Sequence, residues 1–363
     1  MPEERSPNLK KTLVERTADE IARLIDAGRW SGSLPGERPL ALEFGISRSS
    51  LRVALGLLKK RGYLDSRQGK PTRLLRRRTI ARKGAVRRVG FLTSLPLGGF
   101  FSHHDYPLWY EGLVLQLRRR GYELELLHVP QLSGRALDRE LSALVRRFPM
   151  EAWLLHRAHP AVQVWFSGHA LPGVVIGSRL PEMNLAACDV DNRAVCRHAA
   201  GTLFRLRHRR IAFLVSDAGR AGDLLSEQGF LEAAKTCPDG EPFIFRHAEE
   251  LVSLRTVLRS IFQTTPDITG LVVAHAMNVP LAMIVAANMG RPCPERLSLI
   301  ARTDHACLNR LLPEPARYVV NEQVFTASIV RTLDAVIRKE PLLALNTQIL
   351  PTWQEGKSVQ ALT

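Results

Sequence analysis

The densest group of side chains able to do chemistry is Ser47-Arg48-Ser49-Ser50-Leu51-Arg52. Two guanidiniums and three hydroxyls in six residues can donate to phosphate oxygens and to the acceptor edge of guanine. Ser47 stands where a helix N-cap belongs, and Leu51, Leu55 and Leu58 follow at helical spacing. The leucines then face a core, while Arg48, Ser49 and Arg52 fall on other faces near the helix N-terminus. Such a helix can enter a DNA groove. Ser47 alone is equally explained as a helix cap, and Arg38 alone by a salt bridge.

The neighbouring elements must hold that helix. Residues 9–27 place Leu13, Ile21, Leu24 and Ile25 on one helical stripe, and residues 39–44 predict a second short helix before Gly45. The third helix runs to about Arg61 and stops at Gly62. Two short strands then flank a Gln68-Gly69-Lys70-Pro71 turn, which predicts a hairpin. Together these make a winged helix-turn-helix over residues 1–75.

Charge agrees with this reading. Residues 1–88 carry 22 Lys and Arg against 9 Asp and Glu, whereas the other 275 residues carry 29 against 26. A basic block on a nearly neutral body points to a polyanion held at one end. Residues 76–87 are rich in Arg and Lys and poor in apolar side chains, and are expected to be a basic linker. The five cysteines lack a C-x-x-C pair, as expected of reduced thiols. The start Met1-Pro2-Glu3-Glu4-Arg5 is polar and no apolar run approaches ~18 residues, so a cytoplasmic protein with no membrane partner is expected.

Leu34-Pro35-x-Glu37-Arg38-x-Leu40-Ala41, Ser47-Arg48-Ser49-Ser50-Leu51-Arg52, Gly62-Tyr63-Leu64 and Gly69-Lys70-Pro71-Thr72 resemble the DNA-binding domain of GntR-type bacterial regulators. The resemblance implies that Arg38, Ser47, Arg48, Ser49, Arg52 and the wing tip, Gln68, Gly69 and Lys70, contact double-stranded operator DNA.

From residue 88 to residue 363 the pattern changes. Apolar runs such as Val89-Gly90-Phe91-Leu92-Thr93 alternate with helical periodicity, which predicts an α/β body with parallel sheets. Asp189-Val190-Asp191-Asn192, Arg207-His208-Arg209-Arg210-Ile211-Ala212-Phe213 and Gly229-Phe230-Leu231-Glu232-Ala233-Ala234 resemble the effector domain of LacI-type repressors, which has the periplasmic sugar-binding-protein fold. That resemblance implies two Rossmann-like lobes, a ligand cleft between them, and crossovers placed near residues 177–190, 302–318 and 344–350. A GntR-type head on a LacI-type body is similar to arabinose-type repressors.

The resemblance also exposes departures. The arginine that such domains place three residues before Gly229 is Ser226 here. The Asn-Asp expected after Ala274 is His275-Ala276, and the aspartate expected near Thr303 comes one step later, at Asp304. The loop Phe100–Trp109 follows the first strand, so His103, Asp105 and Trp109 join Asn192, Ser226, His275 and Asp304 as candidate effector contacts. His103-His104-Asp105 lacks a third spaced ligand, so no metal is expected. No cofactor or catalytic motif is found. The expected function is a DNA-binding transcription regulator and homodimer, more a repressor than an activator, controlled by a sugar or sugar-derived effector. The alternative is a dimeric regulator whose body has lost ligand sensing and serves as a scaffold.

Overall fold

The computed structural model describes residues 13–26, 29–30, 32–44, 46–60, 63–65, 72–74, 87–94, 109–129 and 134–362. The chain divides into two compact units, Met1–Ala85 and Val86–Thr363. The wing tip Gln68, Gly69 and Lys70, the linker up to residue 86, and His103 and Asp105 lie outside the described residues.

The first unit holds α1 (Leu13–Asp26), α2 (Glu37–Glu43), α3 (Arg48–Lys60), β1 (Leu64–Asp65) and β2 (Arg73–Leu74). Ile21, Leu40, Leu51, Ala54 and Leu58 form its core and are fully buried. Ala54, rather than the expected Leu55, completes the buried stripe of α3, because Leu55 packs only at the edge. β1 and β2 pair antiparallel, Leu64 opposite Leu74. Leu34 N–H donates to Thr72 O at 2.9 Å and Leu74 N–H to Gly32 O at 3.1 Å, tying the hairpin to the segment before α2.

The second unit contains two six-stranded sheets. The first lobe uses β3 (Arg87–Thr93), β4 (Tyr122–His128), β5 (Ala152–His156), β6 (Gly173–Ile176), β7 (Ala186–Val190) and β13 (Asn346–Ile349), in the order β13-β7-β6-β5-β3-β4 and all parallel. The second uses β8 (Arg210–Ser216), β9 (Glu241–His247), β10 (Gly270–Val273), β11 (Ser298–Ala301), β12 (Ala316–Val319) and β14 (Thr352–Gln354), in the order β14-β12-β11-β10-β8-β9. Only β14 runs antiparallel, against β12.

Helices cover both faces of each sheet. In the first lobe, α4 (Trp109–Arg119) and α11 (Glu322–Ile337) bury Leu113, Leu117, Ile329 and Leu333 on one face. On the other, α5 (Gly134–Arg147) and α6 (Pro160–Gly168) bury Leu141 and Phe166 against Trp153. In the second lobe, α7 (Asn192–Arg205) and α8 (Ala221–Ala234) cover one face, and α9 (Leu251–Thr264) and α10 (Val279–Asn288) the other.

The chain crosses between lobes at residues 190–192, 319–322 and 349–352, each later than the sequence suggested. The first two shifts have one cause. Ala186-Ala187-Cys188-Asp189-Val190 and Ala316-Arg317-Tyr318-Val319 are strands, although one is alanine-rich and the other carries an arginine. β13, β14 and α6 are also additions to the predicted elements. Arg87, counted with the linker, is the first residue of β3, where its guanidinium meets Glu151 at 2.5 Å and covers the Tyr122 ring at 4.4 Å.

Close packing of α7 on α8 explains part of the motif around Gly229. A Cβ at Gly229 would lie 2.0 Å from the carbonyl oxygen of Arg193, so only glycine lets the two backbones approach this closely. Arg193 and Glu232 pair across the same contact at 2.5 and 2.9 Å. Gly229→Ala is therefore expected to destabilise the chain by roughly 1–3 kcal/mol, read as a lower urea midpoint. An unchanged midpoint would show that the helices can part without cost.

Candidate functional sites

In the first unit, Arg38, Ser47, Arg48, Ser49 and Arg52 are all exposed, around the N-terminal end of α3. Ser47 is the N-cap of that helix, its Oγ accepting the Ser50 N–H at 3.0 Å. Arg52 is held in place by Glu37, its Nε lying 2.9 Å from one carboxylate oxygen and 3.1 Å from the other. Arg48 approaches the same carboxylate at 3.7 Å. Both arginines remain more than half exposed, so Glu37 orients them without removing them from the surface. The salt bridge considered for Arg38 belongs to Arg52.

In the second unit, a cavity of about 290 Å³ opens where strand C-termini of both sheets meet. His156 and Arg157 follow β5, His275 follows β10, and Arg302, Thr303 and Asp304 follow β11. In the first sheet β3 lies between β4 and β5, and in the second β8 lies between β9 and β10. The two histidines thus sit beside the points where strand order reverses, the usual ligand position in parallel sheets. Trp109, Tyr318 and Phe325 provide aromatic wall. Trp109 stands edge-on to His156 and Phe325, with centroids 5.5 and 5.4 Å apart.

Of the expected contacts, Trp109, His275 and Asp304 line this cavity, and Asn192 and Ser226 do not. Asn192 is buried at the first crossover and donates to Asp189 Oδ2 at 2.8 Å and to Val190 O at 3.2 Å. Its neighbour Asp191 caps α7 through the Ala194 N–H. Ser226 is fully buried in α8 and donates to Gly222 O at 2.7 Å. It also accepts from Arg302 Nη1 at 2.5 Å.

Arg302 is the residue the sequence reading missed. Position 226 lacks the expected guanidinium, and Arg302 brings one to it from β11. Its Nη1 lies 2.9 Å from Asp223 Oδ1, and its Nε donates to Ala274 O at 3.1 Å. Its place straight after an apolar strand was the available signal. His156, which also ends a strand, could have been found the same way. Asp304 is partly committed, since Oδ1 lies 2.8 Å from Arg317 Nε.

Burial holds the imidazole of His156 down to about 3, with Arg157 adding to the effect. Burial likewise holds His275 down to about 3, helped by Arg157, Arg302 and Arg220 and opposed by Glu249. Both rings are neutral at physiological pH and can each offer one donor and one acceptor. In the unfolded chain they titrate near ~6.5. Between about pH 6.5 and 3 the unfolded chain binds protons that the native chain refuses, so stability falls as pH falls through that window. The slope is of order 1 kcal/mol per pH unit for each ring. Urea midpoints measured from pH 7 to 5 should fall less steeply in His156→Asn or His275→Gln than in the parent chain. Parallel slopes would mean that the native imidazoles take up protons.

Comparison with known proteins adds to this geometry. Residues 13–74 match the bacterial regulatory proteins, gntR family, and residues 200–359 match the periplasmic binding protein-like domain. The arabinose metabolism transcriptional repressor of Geobacillus stearothermophilus is 27% identical over a match covering 62% of this chain and 62% of that protein. The chain thus spans under two thirds of the length of this curated relative. The Glc operon transcriptional activator of Escherichia coli (strain K12) is 38% identical over 78 residues, 21% of this chain and 29% of that one. Among solved structures, the transcriptional regulator CelR in complex with cellobiose has a TM-score of 0.66 at 18% identity, covering 96% of this chain and 100% of its own. A LacI family transcriptional regulator from Mycobacterium smegmatis gives 0.64 at 17%, covering 75% and 99%. At these identities the structural likeness concerns the fold. The chain therefore joins a gntR-family winged-helix domain to a periplasmic-binding-protein-like domain with the fold of LacI-type regulators.

Proposed function

We propose that this chain is a cytoplasmic transcription regulator, a repressor that binds operator DNA as a homodimer and responds to a sugar or sugar-derived effector. The observation that carries the reading is the exposed N-terminal turn of α3, with Arg48, Ser49 and Arg52 presented around the Ser47 cap on a strongly basic unit. Arg38 and the wing tip Gln68-Gly69-Lys70 extend that contact. Phosphate contacts fix the register of such a domain, and guanidiniums at base edges supply specificity. The repressor sign follows the arabinose relative, and a sugar-derived effector fits both its printed name and the cellobiose complex. A body serving only as a scaffold has no need of a polar cavity at the strand ends, so effector binding is favoured over that alternative. No catalytic step is assigned to the chain.

Four large apolar side chains support dimerisation through the second lobe. Leu251 and Val252 on α9, Ile284 on α10 and Leu312 are all more than half exposed. α9 and α10 pack on the same face of the sheet, with Leu308 and Leu311 beside them. A second copy of the chain would cover this surface, since paired heads read palindromic half-sites by two-fold symmetry.

Arg48→Ala should weaken operator binding by roughly 1–3 kcal/mol if the side chain reads a base. Gel-shift titration on an operator selected from a genomic library measures this. Unchanged affinity, with α-helical content retained, would remove Arg48 from the interface. Val252→Asp combined with Ile284→Asp should convert the dimer to a monomer in sedimentation velocity. A variant that remains dimeric would move the interface elsewhere.

A further inference from the structure

We propose that the ligand of the cleft is an acidic sugar, whose carboxylate or phosphate ester is held between Arg302 of the second lobe and Arg157 of the first. The inference rests on the effector reading above and names the chemical class of that effector. Its first support is the fixed guanidinium of Arg302. This side chain is nine-tenths buried yet lines the cavity. Asp223, Ser226 and Ala274 O engage Nη1 and Nε, and Nη2 makes no hydrogen bond among the described residues. A planar donor locked from behind suits a planar or tetrahedral oxyanion in front.

The second support is the charge around it. Arg157, Arg302 and Arg220 converge on His275, and Glu249 is the carboxylate that acts on the same ring. Glu249 lies 2.6 Å from Arg220 Nη1 and 3.8 Å from Arg157 Nη2, so its stronger ion pair is with Arg220. With Asp223 counted against Arg302, three guanidiniums face two carboxylates. In a site from which water is largely excluded, one unbalanced cation attracts an anion strongly. The third support is the rest of the lining. Asp304 faces the cavity with one oxygen already bound by Arg317, leaving acceptor capacity for ligand hydroxyls. Neutral His156 and His275 can donate or accept, and Trp109 offers a face for the apolar side of a sugar ring. Arg157 and Arg302 come from different lobes, so an anion between them would favour the closed cleft.

The test uses the full chain in calorimetry with gluconate, galacturonate, glucose 6-phosphate and galactose 6-phosphate beside glucose and galactose. At least one anion is expected to bind tenfold or more tightly than its neutral parent, and the set separates carboxylate from phosphate preference. That gap should shrink at least fivefold in Arg157→Ala and in Arg302→Lys, the latter keeping a cation beside Asp223. Arg197→Ala, which lies outside the cleft, should leave it unchanged. Equal or tighter binding of the neutral parent overturns the proposal, as does an anion preference untouched by both variants, or no binding by any of the six. A neutral sugar that binds and alters operator affinity would leave the regulator reading standing while this inference falls.

Discussion

The cleft depends on one buried ion pair, Arg302 with Asp223. Both side chains are about nine-tenths buried, and isolated charges in such a place cost several kcal/mol. The pair survives because the surroundings complete it. Ala274 O and Ser226 Oγ accept from the guanidinium, and Ser226 is itself anchored to Gly222 O. The pair thereby ties α8 to the ends of β10 and β11, three of the elements that shape the second wall of the cavity. Loss of either partner alone would strand the other charge, at a cost of roughly 3–5 kcal/mol. A small serine at position 226 is what makes room for an arginine arriving from β11.

The first crossover carries a second polar cluster. Asp189, pushed above the usual carboxylate range by burial, accepts from Ser178 Oγ at 2.5 Å and Asn192 Nδ2 at 2.8 Å. Ser178 and Asp189 belong to the first lobe, and Asn192 opens the first helix of the second. A Cβ at Gly222 would come within 3.1 Å of Asn192 Nδ2 and 3.3 Å of Ser178 Oγ, so α8 also closes on this cluster. The Asp-Val-Asp-Asn motif is therefore the joint between lobes rather than a ligand contact. Three chain crossings at one edge form a hinge, and hinges let small differences in ligand contact select between open and closed states.

Much of the fold was legible because it rests on periodicity. The stripes of α1 and α3, the apolar run of β3 and the alternation of strands and helices all follow from which side chains must be buried. The elements that escaped notice disobey that signal. β12 carries Arg317, which is 2% exposed and satisfied by Glu314, Asn309 and Asp304 from beyond the strand. β7 is built from alanine, cysteine and aspartate, and only its neighbours β6 and β13 make it a strand. The site was half legible for the same reason. Trp109, His275 and Asp304 follow from position at strand ends. Ser226 was placed by motif, and its motif position marks where a guanidinium is needed without saying which strand delivers it. Arg302 could be assigned only once β11 was set beside α8.

The central claim is that occupancy of the cleft governs the grip on DNA. Linkage makes this reciprocal, so effector and operator must change each other's affinity by one common factor. The direct measurement is fluorescence anisotropy of a labelled operator duplex with the full chain, with and without a saturating cleft ligand, paired with calorimetry of that ligand with and without operator. The account predicts a change of fivefold or more in operator affinity and an equal factor in ligand affinity. Operator affinity unchanged by a ligand shown to saturate the cleft would contradict it.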